Sequence, residues 1–140
     1  MAGYLCKLQG YLYEGELVNG AAAPVPNGIL MIQDDDELVL PGADDTKTKF
    51  VCKEVGSIYD GRPAYRFIVD ALNKRYYFVE NGADINDSAA YDKAEYTTKV
   101  GDELRAHPLV VGEEFWTDLV NGETFTPGVA YSVKADGTIG

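Results

Sequence analysis

Apolar side chains recur along this chain mostly with a period of two. Between Lys99 and Leu119 the sequence reads KVGDELRAHPLVVGEEFWTDL. A turn signal at Val100-Gly101-Asp102 opens the stretch, Leu104 and Ala106 follow as apolar positions, and Pro108 to Val111 form a Pro-interrupted apolar patch. In the last run Phe115, Thr117 and Leu119 fall on one face of an extended chain and Glu114, Trp116 and Asp118 on the other, which is the period of a half-buried strand. Two strands flanking a kinked connection are predicted here.

The rest of the chain repeats this grammar. Residues 1–8 suit a short strand or an ordered arm, and residues 9–140 read as a single β-rich domain. Tyr11 and Tyr13 alternate with Leu12 and Glu14 up to Asn19-Gly20, a dipeptide that tolerates positive φ and marks a turn. Ala21 to Pro26 holds two prolines, so a loop or an extended edge is expected. After the Asn27-Gly28 turn, Ile29 to Ile32 is apolar at every position and predicts a strand buried on both faces. Leu38 to Leu40, Phe50 to Val55 and Ala64 to Asp70 are further strands. Asp44 to Lys49 reads as a polar loop, and Asn73-Lys74 as a hairpin tip with Arg75 to Glu80 returning. Asn81 to Lys93 is the least strand-like part, where Ser88 to Tyr91 suits one or two helical turns capped by Asp87 or Ser88. Near the end, Asn121-Gly122 and Pro127-Gly128 bracket a small strand, Glu123 to Thr126, and Val129 to Lys134 runs up to Asp136-Gly137.

Roughly nine to eleven short strands at these turn spacings predict an all-β fold, a compact antiparallel barrel or sandwich with at most one short helix. The 140 residues fit one domain with a true core, and 46% hydrophobic and 11% aromatic residues mark a folding sequence. With 23 acidic and 12 basic residues the formal charge is -11. Such a chain repels phosphate backbones and anionic membranes, and Asp60 and Asp70 interrupt the one basic run, Arg62, Arg66, Lys74 and Arg75. Neither nucleic acid nor a membrane is expected as a partner.

Chemistry-bearing patterns are sparse. Cys6 and Cys52 lack CxxC spacing and neighbouring histidine, so they read as small buried thiols made in a reducing cytoplasm, with pairing across strands as the other arrangement. His107 is the only histidine, and no GxSxG elbow accompanies it. The acids at Asp34 to Glu37 and at Asp84, Asn86 and Asp87 lack the grammar of a calcium loop, and Asp34 to Glu37 reads as a solvated turn that shields an apolar strand. No enzyme activity, metal or cofactor is expected. Trp116 is the one tryptophan; alternation turns it away from Phe115, either beneath a second sheet or outward as a contact anchor. Ten tyrosines favour an interaction surface.

The run Tyr96 to Ala106, followed by Pro108-Leu109, Gly112-Glu113-Glu114-Phe115 and the Tyr-Ser-Val-Lys-Ala-Asp-Gly-Thr-Ile ending, resembles the second half of the head decoration, or cement, proteins of tailed bacteriophages. The likeness covers residues 91–140. It implies a compact β-barrel or β-tulip-like domain, without enzyme activity, on the outside of an assembled virion capsid. There it binds across neighbouring major capsid protein subunits, sometimes as a homotrimer, after synthesis in the bacterial host cytoplasm. In such proteins an N-terminal arm often lies on the shell. That puts Tyr4, Leu5, Lys7 and Leu8 forward as capsid-binding residues, with Trp116 as a further contact. The residues alone also suit a carbohydrate- or receptor-binding β-sandwich with Trp116 as a stacking platform.

Overall fold

The computed structural model describes residues 4–7 (backbone), 17–58, 62–80, 97–122 and 124–140. Among them the fold is all-β, with no helix. The strands are β1 (Tyr4–Lys7), β2 (Val18–Asn19), β3 (Val25–Pro26), β4 (Leu30–Asp34), β5 (Glu37–Val39), β6 (Asp45–Ile58), β7 (Arg62–Ala71), β8 (Tyr77–Val79), β9 (Thr97–Thr98), β10 (Ala106–Pro108), β11 (Glu114–Thr117) and β12 (Ala130–Val133). The suggested helical turn at Ser88 to Tyr91, and Leu8, lie outside the described residues.

Two five-stranded sheets carry the fold. The first has the order β1-β11-β7-β6-β12, and each neighbouring pair in it is antiparallel. The second has the order β10-β8-β4-β5-β2, with β2 parallel to β5; β3 and β9 pair separately. Alternation in β6, β7 and β11 sends Phe50, Cys52, Tyr65, Phe67, Val69 and Phe115 inward, where they meet Leu30 and Phe78 of the second sheet in one cluster. The second sheet is apolar on its other face too. Ile29, Met31, Leu38, Tyr77 and Val79 pack there with Leu17, Val25, Leu104 and Leu119. Burial on both faces explains the unbroken apolar run at Ile29 to Ile32, because adjacent residues Leu30 and Met31 enter different clusters.

Several expected connections form otherwise. Arg75 to Glu80 does not return along β7: Tyr77–Val79 crosses to the second sheet, between β10 and β4. Every residue from Tyr76 to Glu80 is buried, which a strand returning as a sheet edge does not need and a central strand covered on both faces does. Asp44 to Lys49 is not a loop, since β6 begins at Asp45, and its polar residues Asp45 and Thr48 are buried and bonded to each other. Asn19-Gly20 is not a positive-φ turn either. The Asn19 amide is buried, donating to Thr98 O (2.9 Å) and Ala23 O (3.3 Å) and accepting from Ala21 N–H (2.9 Å), so it holds the turn after β2 together and fastens it to β9. Residues 124–126 form no strand, because Phe125 turns inward as a plug against Tyr65, Phe67 and Tyr131.

The acidic run is a hairpin tip, with Asp34 opposite Glu37 and the exposed Asp35 and Asp36 between them. Asp35 sits at φ 59°, a region costly for a residue with a Cβ. Cys6 and Cys52 are not a pair. β11 and β7 separate their strands, and three strand spacings of about 4.8 Å exceed the ~7 Å Cα limit for a bridge. Cys52 is a buried free thiol, and burial raises its pKa.

Candidate functional site: the outer face around Trp116

The first sheet turns one face to the core and the other outward. Register places Trp116 of β11 beside Arg66 of β7, Arg66 beside Glu54 of β6, and Tyr4 of β1 on the far side of Trp116. One residue row along, Glu114 stands beside Ile68, Ile68 beside Val51, and Val51 beside Ala130. Glu114, Trp116, Arg66, Ile68 and Val51 are all partly exposed. The same alternation that buries Phe115 and Thr117 therefore brings a tryptophan, an ion-pair row and a short apolar row onto one surface.

Trp116 is neither in the core nor free of the sheet. Its ring crosses β7 to reach Gly56 in β6, where a Cβ would come 3.0 Å from the indole Cη2 and 3.2 Å from Cζ3. The β7 residue paired with Gly56 is Ala64, which is small and fully buried. Gly56 and Ala64 thus leave the sheet without bulk where the indole lies. The sequence signal for this slot was Gly56 within a strand, a position that often marks close approach of another group. Any β-branched residue at 56 must lift the ring. Gly56→Val is expected to move the emission of this sole tryptophan to longer wavelength and to increase its quenching by iodide, with the fold's circular dichroism retained.

Arg66 fixes the charges beside the ring. Its Nη1 bonds Glu114 Oε1, while Nε (3.2 Å) and Nη2 (3.1 Å) reach Glu54 Oε1. The Glu114 hydrogen bond is the largest influence on the Arg66 pKa; burial opposes it, and the Glu54 bond and the charges of the two glutamates add to it, so the pKa is raised further above its ordinary value. The guanidinium is thereby held between two strands and kept fully charged. Lys7 occupies the register position across from Glu114 on β1.

The sequence-based candidates divide accordingly. Trp116 is central to this face; Tyr4, Leu5 and Lys7 belong to the edge strand next to it, with Tyr4 directly across from Trp116. Sequence reading missed Arg66, Glu54 and the Gly56-Ala64 slot, because only the β6-β7-β11 register brings them to Trp116.

Two buried polar groups elsewhere are structural in position. His107 Nε2 lies 2.6 Å from Glu113 Oε2, and Glu113 Oε1 accepts the Val110 N–H (2.7 Å). The pair joins β10 of the second sheet to the residue that leads into β11 of the first. Asp45 accepts hydrogen bonds from the hydroxyls of Tyr76 and Thr48, both 2.7 Å, and from the N–H groups of Lys47 and Thr48. Burial pushes the Asp45 pKa up, but these bonds outweigh it and bring it from 3.8 to about 2. Burial first, and then the Asp45 bond, push the Tyr76 phenol well above its ordinary value. Among the described residues no three His, Cys, Asp or Glu side chains converge as metal ligands do.

No protein-family model, curated protein or solved structure matches the chain.

Proposed function

We propose that this chain is a non-enzymatic structural protein of a virion, a capsid decoration protein. In this reading it binds the outside of an assembled phage head through the outer face of its first sheet. The observation that carries the reading is the seating of Trp116: a large aromatic ring, part exposed, laid in a slot of small residues and flanked by a fixed Glu54–Arg66–Glu114 row. Rigid aromatic and arginine groups on an exposed sheet face are what protein interfaces concentrate. The β1 edge, with Tyr4 across from Trp116, extends that face toward the N-terminal residues. The likeness of residues 91–140 to decoration proteins supplies the partner, the major capsid protein.

The mechanism is linkage. Contacts that span neighbouring capsid subunits exist only in the assembled shell, so each bound copy stabilises assembly over dissociation by RT ln(1 + [L]/Kd). At a free concentration a hundred times Kd this amounts to about 2.7 kcal/mol per site, and many copies act together.

Co-sedimentation with emptied, expanded heads tests the proposal, with unexpanded heads and unassembled capsid subunits as controls. Saturable binding to expanded heads alone is expected, and Trp116→Ala is expected to weaken it by about 2 kcal/mol or more, roughly thirty-fold. Binding to none of these forms removes the proposal for that capsid. A glycan array carrying the same variant then tests the sugar-stacking alternative, which the partly exposed ring beside hydrogen-bonding side chains also suits.

A further inference from the structure

We propose that Asn121 is a deamidation site in the folded protein, and that the fold protects the equivalent dipeptides at Asn19 and Asn27. Asparagine followed by glycine is the sequence most open to this reaction, because glycine carries no side chain to hinder attack by its own nitrogen. The backbone N of the glycine attacks Cγ of the asparagine, a C–N bond forms, and the amide nitrogen leaves as ammonia after taking up the proton lost from the attacking N–H. Water then opens the resulting five-membered imide at either carbonyl, giving aspartate or its isomer linked through the side-chain carboxyl.

Three Asn-Gly dipeptides fall within the described residues, and the structure treats them differently. The Asn19 side chain is 1% exposed and makes three hydrogen bonds, two through Nδ2 and one through Oδ1, so its Cγ cannot turn toward the Gly20 nitrogen without breaking them. Asn27 is also 1% exposed, and the Gly28 N–H that would attack is committed to Val79 O at 2.7 Å. Asn121 is exposed. Its backbone N–H is anchored to Ile139 O (2.8 Å), which holds the residue in place, but Gly122 lies beyond that anchor, exposed to solvent and at a positive φ of 150° that residues with side chains rarely adopt. Reaction at the two buried sites requires local opening first, and every 1.4 kcal/mol of opening free energy slows it about ten-fold.

Each conversion replaces a neutral amide by a carboxylate, so the chain passes from a formal charge of -11 to -12. The product is therefore separable by anion exchange.

The test is a time course of the full chain at mildly alkaline pH and 37 °C, natively and in concentrated urea, read by peptide mapping with mass spectrometry. In the native protein, Asn121 is expected to convert at least about ten-fold faster than Asn19 or Asn27. In urea the three sites are expected to converge. Asn121→Gln is expected to abolish the native acidic shift from this site while leaving the urea reaction at the other two unchanged. Native conversion at Asn121 no faster than at Asn19, with convergence in urea, overturns the proposal. So does a three-site difference that persists unchanged in urea, because the fold is then not its cause.

Discussion

Phe115→Ala is expected to lower the unfolding free energy by about 3–5 kcal/mol, the usual cost of emptying a fully buried phenylalanine site. Phe115 has no exposed surface and touches both sheets. Its ring centroid lies 4.8 Å from that of Phe78 in the second sheet, and 5.7 and 6.1 Å from those of Phe50 and Phe67 in the first. The cavity left by alanine thus opens at the joint between the sheets, where neither can collapse without moving the other. A domain of this size is ordinarily stable by only about 5–15 kcal/mol, so the variant loses a large share of its stability. Urea titration measures it, with Val110→Ala as a control at an exposed position expected to change stability by less than about 0.5 kcal/mol. A loss below about 1 kcal/mol for Phe115→Ala contradicts packing of the sheets through this ring.

The second large effect is at Asp45. Asp45→Ala is expected to cost about 3 kcal/mol at neutral pH, because Tyr76, Thr48 and the two backbone N–H groups lose one charged acceptor together. The network ties the start of β6 to Tyr76, just before the chain crosses to the second sheet, so its loss also frees the crossover. The pH dependence has a definite sign. The carboxyl has a lower pKa folded than unfolded, so its contribution is complete above about pH 4 and is lost as pH falls through about 2. That contribution is worth about 2 kcal/mol. The stability gap between the wild type and Asp45→Ala should therefore narrow by about that amount between pH 5 and pH 2. A gap that stays constant over this range contradicts the role given to the ionised carboxylate. Tyr76 acts at the other end: its raised pKa leaves the neutral phenol's contribution intact below pH 10 and removes it at higher pH.

The strands most readable in the sequence were those with one wet face. Phe115 and Thr117 against Glu114 and Trp116, and Tyr65, Phe67 and Val69 against Arg66 and Asp70, alternate because one side of the first sheet faces solvent. Local pattern did not say which strand pairs with which. Arg75 to Glu80 follows a turn after β7, as a hairpin partner would, yet its place is set by the demand that a strand apolar on both sides be covered on both sides. Asp45 and Thr48 looked like loop residues because their bonding partners, Asn73 and Tyr76, lie far along the chain.

The candidate site was legible only in part. Trp116 and the N-terminal strand stood out by residue type and position. Arg66 and Glu54 are ordinary charged residues in sequence, and they become part of one surface only through a bulge between Cys52 and Glu54, which sets Glu54 opposite Arg66. Gly56 likewise gains its meaning from a tryptophan two strands away.

The claim that the Trp116 face is the docking surface is tested most directly by the fluorescence of this single tryptophan during titration with expanded, emptied heads. Saturable protection of Trp116 from iodide quenching is the expected result, with the same midpoint as co-sedimentation and no protection by unassembled capsid subunits. Binding that saturates while Trp116 stays as quenchable as in the free protein would place the contact on another face and contradict the claim.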